Sequence, residues 1–66
     1  MTIVVNGDRR VIPDGLSLAG LLEHLGLDPR MIVVEYNRAI VRRPNLAEVL
    51  LSPDDVVELV HFVGGG

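Results

Sequence analysis

The 66-residue chain has no cysteine, no lysine and no tryptophan, and only one tyrosine and one phenylalanine. Without cysteine it has neither a disulfide framework nor a thiolate zinc site, so a domain this small must fold on packing and hydrogen bonds alone. The same absence means that its side chains cannot form a thioester or hold sulfur as a persulfide. Without lysine, chains linked through its own side chains are excluded. Two aromatic residues make no platform for stacking bases, and the six basic residues, all arginine, are outnumbered by nine acidic ones. Nucleic-acid binding is therefore not expected. No apolar run approaches the roughly 20 residues of a membrane span. The N-terminus enters a strand pattern at once instead of the charged-then-apolar layout of a signal peptide. The expectation is a soluble cytoplasmic protein with no membrane partner.

What is present points to a compact core, since hydrophobic residues make up 48% of the chain. Thr2-Ile3-Val4-Val5 reads as a strand, and Asn6-Gly7 as a type I′ hairpin turn, because both residues tolerate φ > 0. Arg9 to Ile12 returns, and Pro13-Asp14-Gly15 stops it. Ser17 is an N-cap, and Leu18, Leu21, Leu22 and Leu25 fall on one helical face. Gly26 is the natural residue to end that helix. Gly20 within it suggests a close approach of the helix to a sheet. Met31 to Tyr36 is a third strand, turned by Asn37-Arg38 into Ala39-Ile40-Val41, and the pair ends at Pro44. Asn45 and Glu48 have the spacing of a capping box, with Leu46, Val49 and Leu50 as a short apolar face. Ser52-Pro53-Asp54-Asp55 is a turn with proline at its favoured position. A last strand runs from Val56 to Phe62 or Val63, straight into Gly64-Gly65-Gly66.

The order β-β-α-β-β-(short helix)-β predicts an α+β domain over residues 1–63, with a mixed sheet of four to five strands and one main helix on one face. Residues 64–66 are expected to form a flexible tail. Strand alternation then sorts the faces. Glu58 should not be buried unpaired, so its side of the last strand faces solvent, along with Val60 and Phe62. The same parity puts Ile3 and Val5 inside and Val4 outside. Val4, Val60 and Phe62, joined by Val33 and followed by Val63, are expected to form an apolar docking patch.

The catalytic inventory is thin. His24 and His61 belong to no metal or triad constellation, and Gly7, Gly15 and Gly26 have turn and cap roles. Asp54 and Asp55 read as turn residues rather than metal ligands. No glycine-rich loop joins a strand to a helix, so no nucleotide cradle is expected. An enzyme with its own catalytic residues, or a bound cofactor or metal, is not expected. The remaining group is the α-carboxylate of Gly66. Gly64 and Gly65 lack a Cβ and could thread into a slot too narrow for side chains. A frayed end is the bland alternative. A carboxylate becomes an acyl donor only after activation, for example as a mixed anhydride with AMP made by a partner using ATP and Mg²⁺. A sulfur nucleophile would then leave a thiocarboxylate, and an amine would leave an amide.

The order of elements and the glycine end resemble the ubiquitin-like β-grasp sulfur carriers, and most closely the thiamin-biosynthesis carriers of the ThiS family. The likeness covers the whole chain. Asn6-Gly7 sits at the first hairpin turn, and Ser17 opens the helix of Leu21-Leu22 and Leu25. Val34-Glu35-Tyr36-Asn37, with Ile40-Val41 and Arg43, matches a Val-x-x-Asn…Ile-Val-x-Arg segment. Asp55 to Val60 leads into the glycines as the family's last strand does. Pro53-Asp54 in place of a glycine, and a third terminal glycine, are departures. The resemblance implies adenylation of Gly66 by a ThiF-like enzyme and sulfur supplied by a donor such as a cysteine desulfurase. It further implies delivery from a thiocarboxylate to thiazole synthase (ThiG) for the thiamin thiazole ring. A carrier for molybdopterin or another metabolite, and a ubiquitin-like modifier or adaptor, would share these features.

Overall fold

The computed structural model describes residues 1–62; Val63, Gly64, Gly65 and Gly66 lie outside the described residues. Five strands form one sheet in the order β2-β1-β5-β3-β4: β1 Thr2–Val5, β2 Asp8–Val11, β3 Ile32–Tyr36, β4 Ala39–Val41 and β5 Val56–His61. Helix α1, Leu18–His24, packs on one face. Only the β1–β5 pairing is parallel, so the chain's first and last strands lie side by side at the sheet centre. This is the β-grasp arrangement the element order predicted.

Local chemistry accounts for the framework. Asn6 and Gly7 have φ of 50° and 83°, the two positive values a type I′ turn needs, and Asn37 and Arg38 repeat this at 47° and 74°. Ser17 caps α1 by accepting from the Gly20 N–H at 3.0 Å. Leu18, Leu21 and Leu22 are buried against Ile3, Val5, Val34, Val57 and Leu59, while Leu25 is only partly covered. A seven-residue helix is too short to persist alone, so this packing is what holds it.

Five expectations need correction. The capping box does not form: Arg43–Glu48 is a 3-10 helix whose cap position is Arg42, and no side chain caps it. Pro44 in its first turn sets the backbone before Asn45, whose N–H bonds instead to Arg42 C=O at 2.9 Å. Leu50 is accordingly 67% exposed, and Leu51 takes the buried place. Gly20 does not serve a helix–sheet contact, for an added Cβ would meet Leu16 Cδ2 at 3.3 Å and Ser17 Oγ at 3.5 Å. Met31 belongs to an unpredicted 3-10 turn, Pro29–Met31, capped by Asp28, so the third strand starts one residue later. Strands β2 and β5 are Asp8–Val11 and Val56–His61, shifted or trimmed by a residue at their ends.

Candidate functional site

Strand β5 positions the site. It lies between β1 and β3, and Phe62, the last described residue, donates its N–H to Met31 C=O at 3.2 Å. In sequence the glycines thus follow a strand paired with β3 up to His61 and tied at Phe62 to the turn before β3. On its other flank β1 turns away at Asn6 before β5 ends. Leu59 would then lose its backbone partners there, a cost of about 1–3 kcal/mol for each buried unpaired group. The Asn6 side chain replaces the missing strand: Oδ1 accepts from Leu59 N–H at 2.7 Å and Nδ2 donates to Leu59 C=O at 3.2 Å. On the β3 side Asn37 holds Val56 with side chain and backbone together: Oδ1 accepts from Val56 N–H at 2.8 Å and the Asn37 N–H donates to Val56 C=O at 2.8 Å. The sequence marked Asn6 for its tolerance of positive φ and Asn37 as a turn residue, and neither for its side chain. An amide side chain carries the donor and acceptor of a peptide unit, and that was the signal available.

The start of β5 is held by Asp55. Its carboxylate accepts from Tyr36 Oη at 2.6 Å, Ser52 N–H at 2.7 Å and Asn37 Nδ2 at 3.3 Å. Burial raises the Asp55 pKa, but the Tyr36, Ser52 and Asn37 hydrogen bonds outweigh it, and the net shift is downward. The same Tyr36–Asp55 bond, with burial, raises the tyrosine's pKa. Because the folded Asp55 pKa lies below the unfolded value near 4, its stabilisation is complete above that pH. It is lost as the pH falls through the folded pKa. Asp55→Asn should thus lower the unfolding temperature most near neutrality, and the gap to the wild type should close under acid conditions. Thermal melts from pH 2 to 7 check this, and parallel curves would contradict it.

Alternation along β5 holds as expected. Val57 and Leu59 are buried, while Val56, Val60 and Phe62 are exposed on the face opposite α1. Val60 is 56% exposed and Phe62 45%, and Val33, directly across from Val60, is 40% exposed. These three residues sit together at the tail end of the open face. Val4 does not join them. It is partly buried and paired with Val56, four residues earlier on β5, roughly 13 Å away at strand spacing. Between the two apolar ends Glu35 faces Glu58 directly, with Ile40 beyond Glu35. Like charges in direct opposition repel, so this band separates the apolar ends electrostatically as well as in space. Val63 and the carboxylate-bearing Gly66, with Gly64 and Gly65, lie outside the described residues.

His61 is exposed on the helix side of β5, beside Leu25 and Leu27 in a cleft of about 250 Å³, and His24 is exposed at the end of α1. Among the described residues no group of three or more His, Asp or Glu side chains could hold a metal ion. No helix among them is long and apolar enough to cross a membrane.

A five-stranded β-grasp sheet with one helix, its last strand central and Val33, Val60 and Phe62 exposed where that strand ends, defines a small ubiquitin-like domain. Residues 3–66 match the ThiS family, and the chain belongs to it. Among solved structures it is similar to the crystal structure of the thiamine biosynthesis protein ThiS from Geobacter metallireducens. That likeness has a TM-score of 0.86 and 28% identity and covers 100% of both chains. The sulfur carrier protein ThiS of Bacillus subtilis is 40% identical over 50 residues, 76% of each protein. A thiazole synthase of Magnetococcus marinus is 44% identical over all 66 residues, and one of Paramagnetospirillum magneticum is 38% identical. The chain spans only 20% of the length of these two thiazole synthases.

Proposed function

We propose that this protein is a sulfur carrier of thiamin biosynthesis, acting as a co-substrate of partner enzymes rather than as an enzyme. The carrying observation is that β5, the central strand whose sequence continues into the glycines, ends among the exposed Val33, Val60 and Phe62. A rigid root with a slim end lets binding energy gathered on the sheet face place a distant reacting atom. That atom is the carboxylate of Gly66, with Gly64 and Gly65 threading into the partner and Val63 at the root. A ThiF-like enzyme uses ATP and Mg²⁺ to join AMP to the carboxylate, releasing pyrophosphate. The terminal sulfur of a persulfide on a donor such as a cysteine desulfurase then displaces AMP to form an acyl disulfide, and a thiol reduces the S–S bond, itself becoming a disulfide and leaving a thiocarboxylate. ThiG takes that sulfur into the thiazole ring. An ATP-consuming cycle of this kind fits the proposed cytoplasmic location. Kinship with two thiazole synthases that contain a segment like this chain supports the choice of acceptor.

The test is intact mass after incubation with ATP, a ThiF-type enzyme and a sulfur donor. The expected result is a gain equal to one oxygen replaced by sulfur, located in the C-terminal peptide. No gain, with the enzyme shown active on its own carrier, would sink the proposal and leave an interaction domain.

A further inference from the structure

Beside Phe62 the open face drops into a groove of about 450 Å³, made apolar by Val33, Ile40 and Phe62 and positive by Arg30, Arg42 and Arg43. Arg30 is neutralised in place, its Nη2 2.9 Å from Asp28 Oδ2 and its Nε 3.1 Å from Oδ1. Those Arg30 hydrogen bonds are the main cause of the lowered Asp28 pKa, and Arg43 is the least of its causes. Arg42 and Arg43 themselves have no carboxylate within ion-pair distance among the described residues. Each offers a planar fork suited to bidentate hydrogen bonds with one. Strand register decides which carboxylate can come to them. Strands β4 and β5 both run antiparallel to β3, so they point the same way. One step past the Val34–Val41 pair sets Arg42 level with Val33 and Val60. From Phe62 the Arg42 backbone is then roughly 12 Å away, two strand spacings across and two residues back. Four residues follow Phe62 in the sequence, Val63 to Gly66. Extended, they reach up to about 14 Å. The glycines among them can turn in almost any direction.

The geometry points to an internal docking site: the groove receives this chain's own end, with the Gly66 carboxylate on Arg42 and Arg43 and Val63 against Val33 and Phe62. Reach and charge complementarity both single out this occupant. The inference shares with the carrier reading only the premise that Gly66 ends in a free carboxylate. Because the end is tethered beside the groove, its effective concentration there is high at any protein concentration. Exposed ion pairs contribute little to stability. The contact therefore governs where the end is held rather than whether the domain folds. Whatever takes up the glycine end must first draw it off the groove, and its apparent affinity is scaled down to the undocked fraction. The groove is thus a built-in competitor for the chain's own reacting group.

NMR of the free, full-length protein provides the test, with no enzyme present. The arginine Nε–Hε signals are compared between the chain ending in a carboxylate and the same chain with Gly66 amidated. Those of Arg42 and Arg43 should lie downfield in the carboxylate form, and those of the exposed Arg10 and Arg38, away from the groove, should coincide in the two forms. The backbone order parameter of Gly65 should fall from above to below about 0.6 in Arg42→Gln/Arg43→Gln. Arg10→Gln/Arg38→Gln makes the same change in net charge and should leave it unchanged. Unfolding midpoints check that each variant is folded. Coincident Arg42 and Arg43 signals in the two forms would overturn the docking site. An equal fall for both arginine pairs would trace the effect to net charge and overturn it as well. A downfield shift that fades on about tenfold dilution would assign the groove to the end of a second copy and overturn the internal contact. If the shift is present but no sulfur is ever loaded, the carrier reading falls and the internal contact stands.

Discussion

A chain shortened by Gly65 and Gly66 is expected to take up no sulfur while unfolding at the same temperature as the full-length protein. Among the described residues, every buried hydrophobic residue of the core falls between Ile3 and Leu59, and the last hydrogen bond of β5 is made by Phe62. The described core is thus assembled without calling on the glycines. On the carrier reading they contribute all of the chemistry, since the reacting carboxylate stands at the end of Gly66. Shortening moves the new carboxylate back by two residues, up to about 7 Å of extended chain. Misplacement of even 1 Å can cost on the order of a hundredfold in rate. Loss of sulfur loading by intact mass, with retained binding to the ThiF-type enzyme, is the expected pair of results. Retained loading would refute the terminal thiocarboxylate, whereas full function without loading would identify an adaptor.

Leu21→Ala is expected to produce the largest loss of stability. Leu21 is fully buried, on a helix of seven residues whose persistence depends on its contact with the sheet. Removing a buried leucine to alanine costs about 2–5 kcal/mol, from lost transfer energy and the cavity left behind. A domain of this size has roughly 3–10 kcal/mol in all. With no disulfide to constrain the unfolded chain, that loss has no covalent reserve behind it. Denaturant titration should show a much lower midpoint, with a substantial unfolded population at 37 °C. A loss below about 1 kcal/mol would mean that α1 is not the lid of the core. Val60→Ser, on the open face, should change stability by no more than about 0.5 kcal/mol.

These two variants divide the molecule as its sequence does. Leu18, Leu21 and Leu22 showed their burial through helical spacing, and Val57 and Leu59 through alternation with Glu58. Asn6-Gly7 showed a hairpin because few residue pairs accept two positive φ values. Each of these signals lies within a few residues of chain and reflects local sterics or a local period. The short helix misled for an equally local reason: Asn45 and Glu48 have capping-box spacing, but Pro44 governed the turn that formed.

The site was less legible. Val4 and Val60 share a face by parity, yet parity says nothing of how far along that face two strands are offset. The parallel β1–β5 register, Val4 with Val56, separates them, and the Glu35–Glu58 pair fills the gap. Nothing local in Arg42-Arg43 shows that they line one groove with Val33 and Phe62, which the β3–β4 pairing brings about. Asp55 read as a turn residue, and only the β3–β5 pairing brought Tyr36 and Asn37 to its carboxylate. The sequence by itself determined the element order, the inward faces and the glycine end, because periodicity and backbone sterics are properties of neighbouring residues. Tertiary structure alone decided what surrounds the tail root. Contacts between residues about 20 to 50 positions apart depend on strand register, and register is set by the shared core rather than by any one segment.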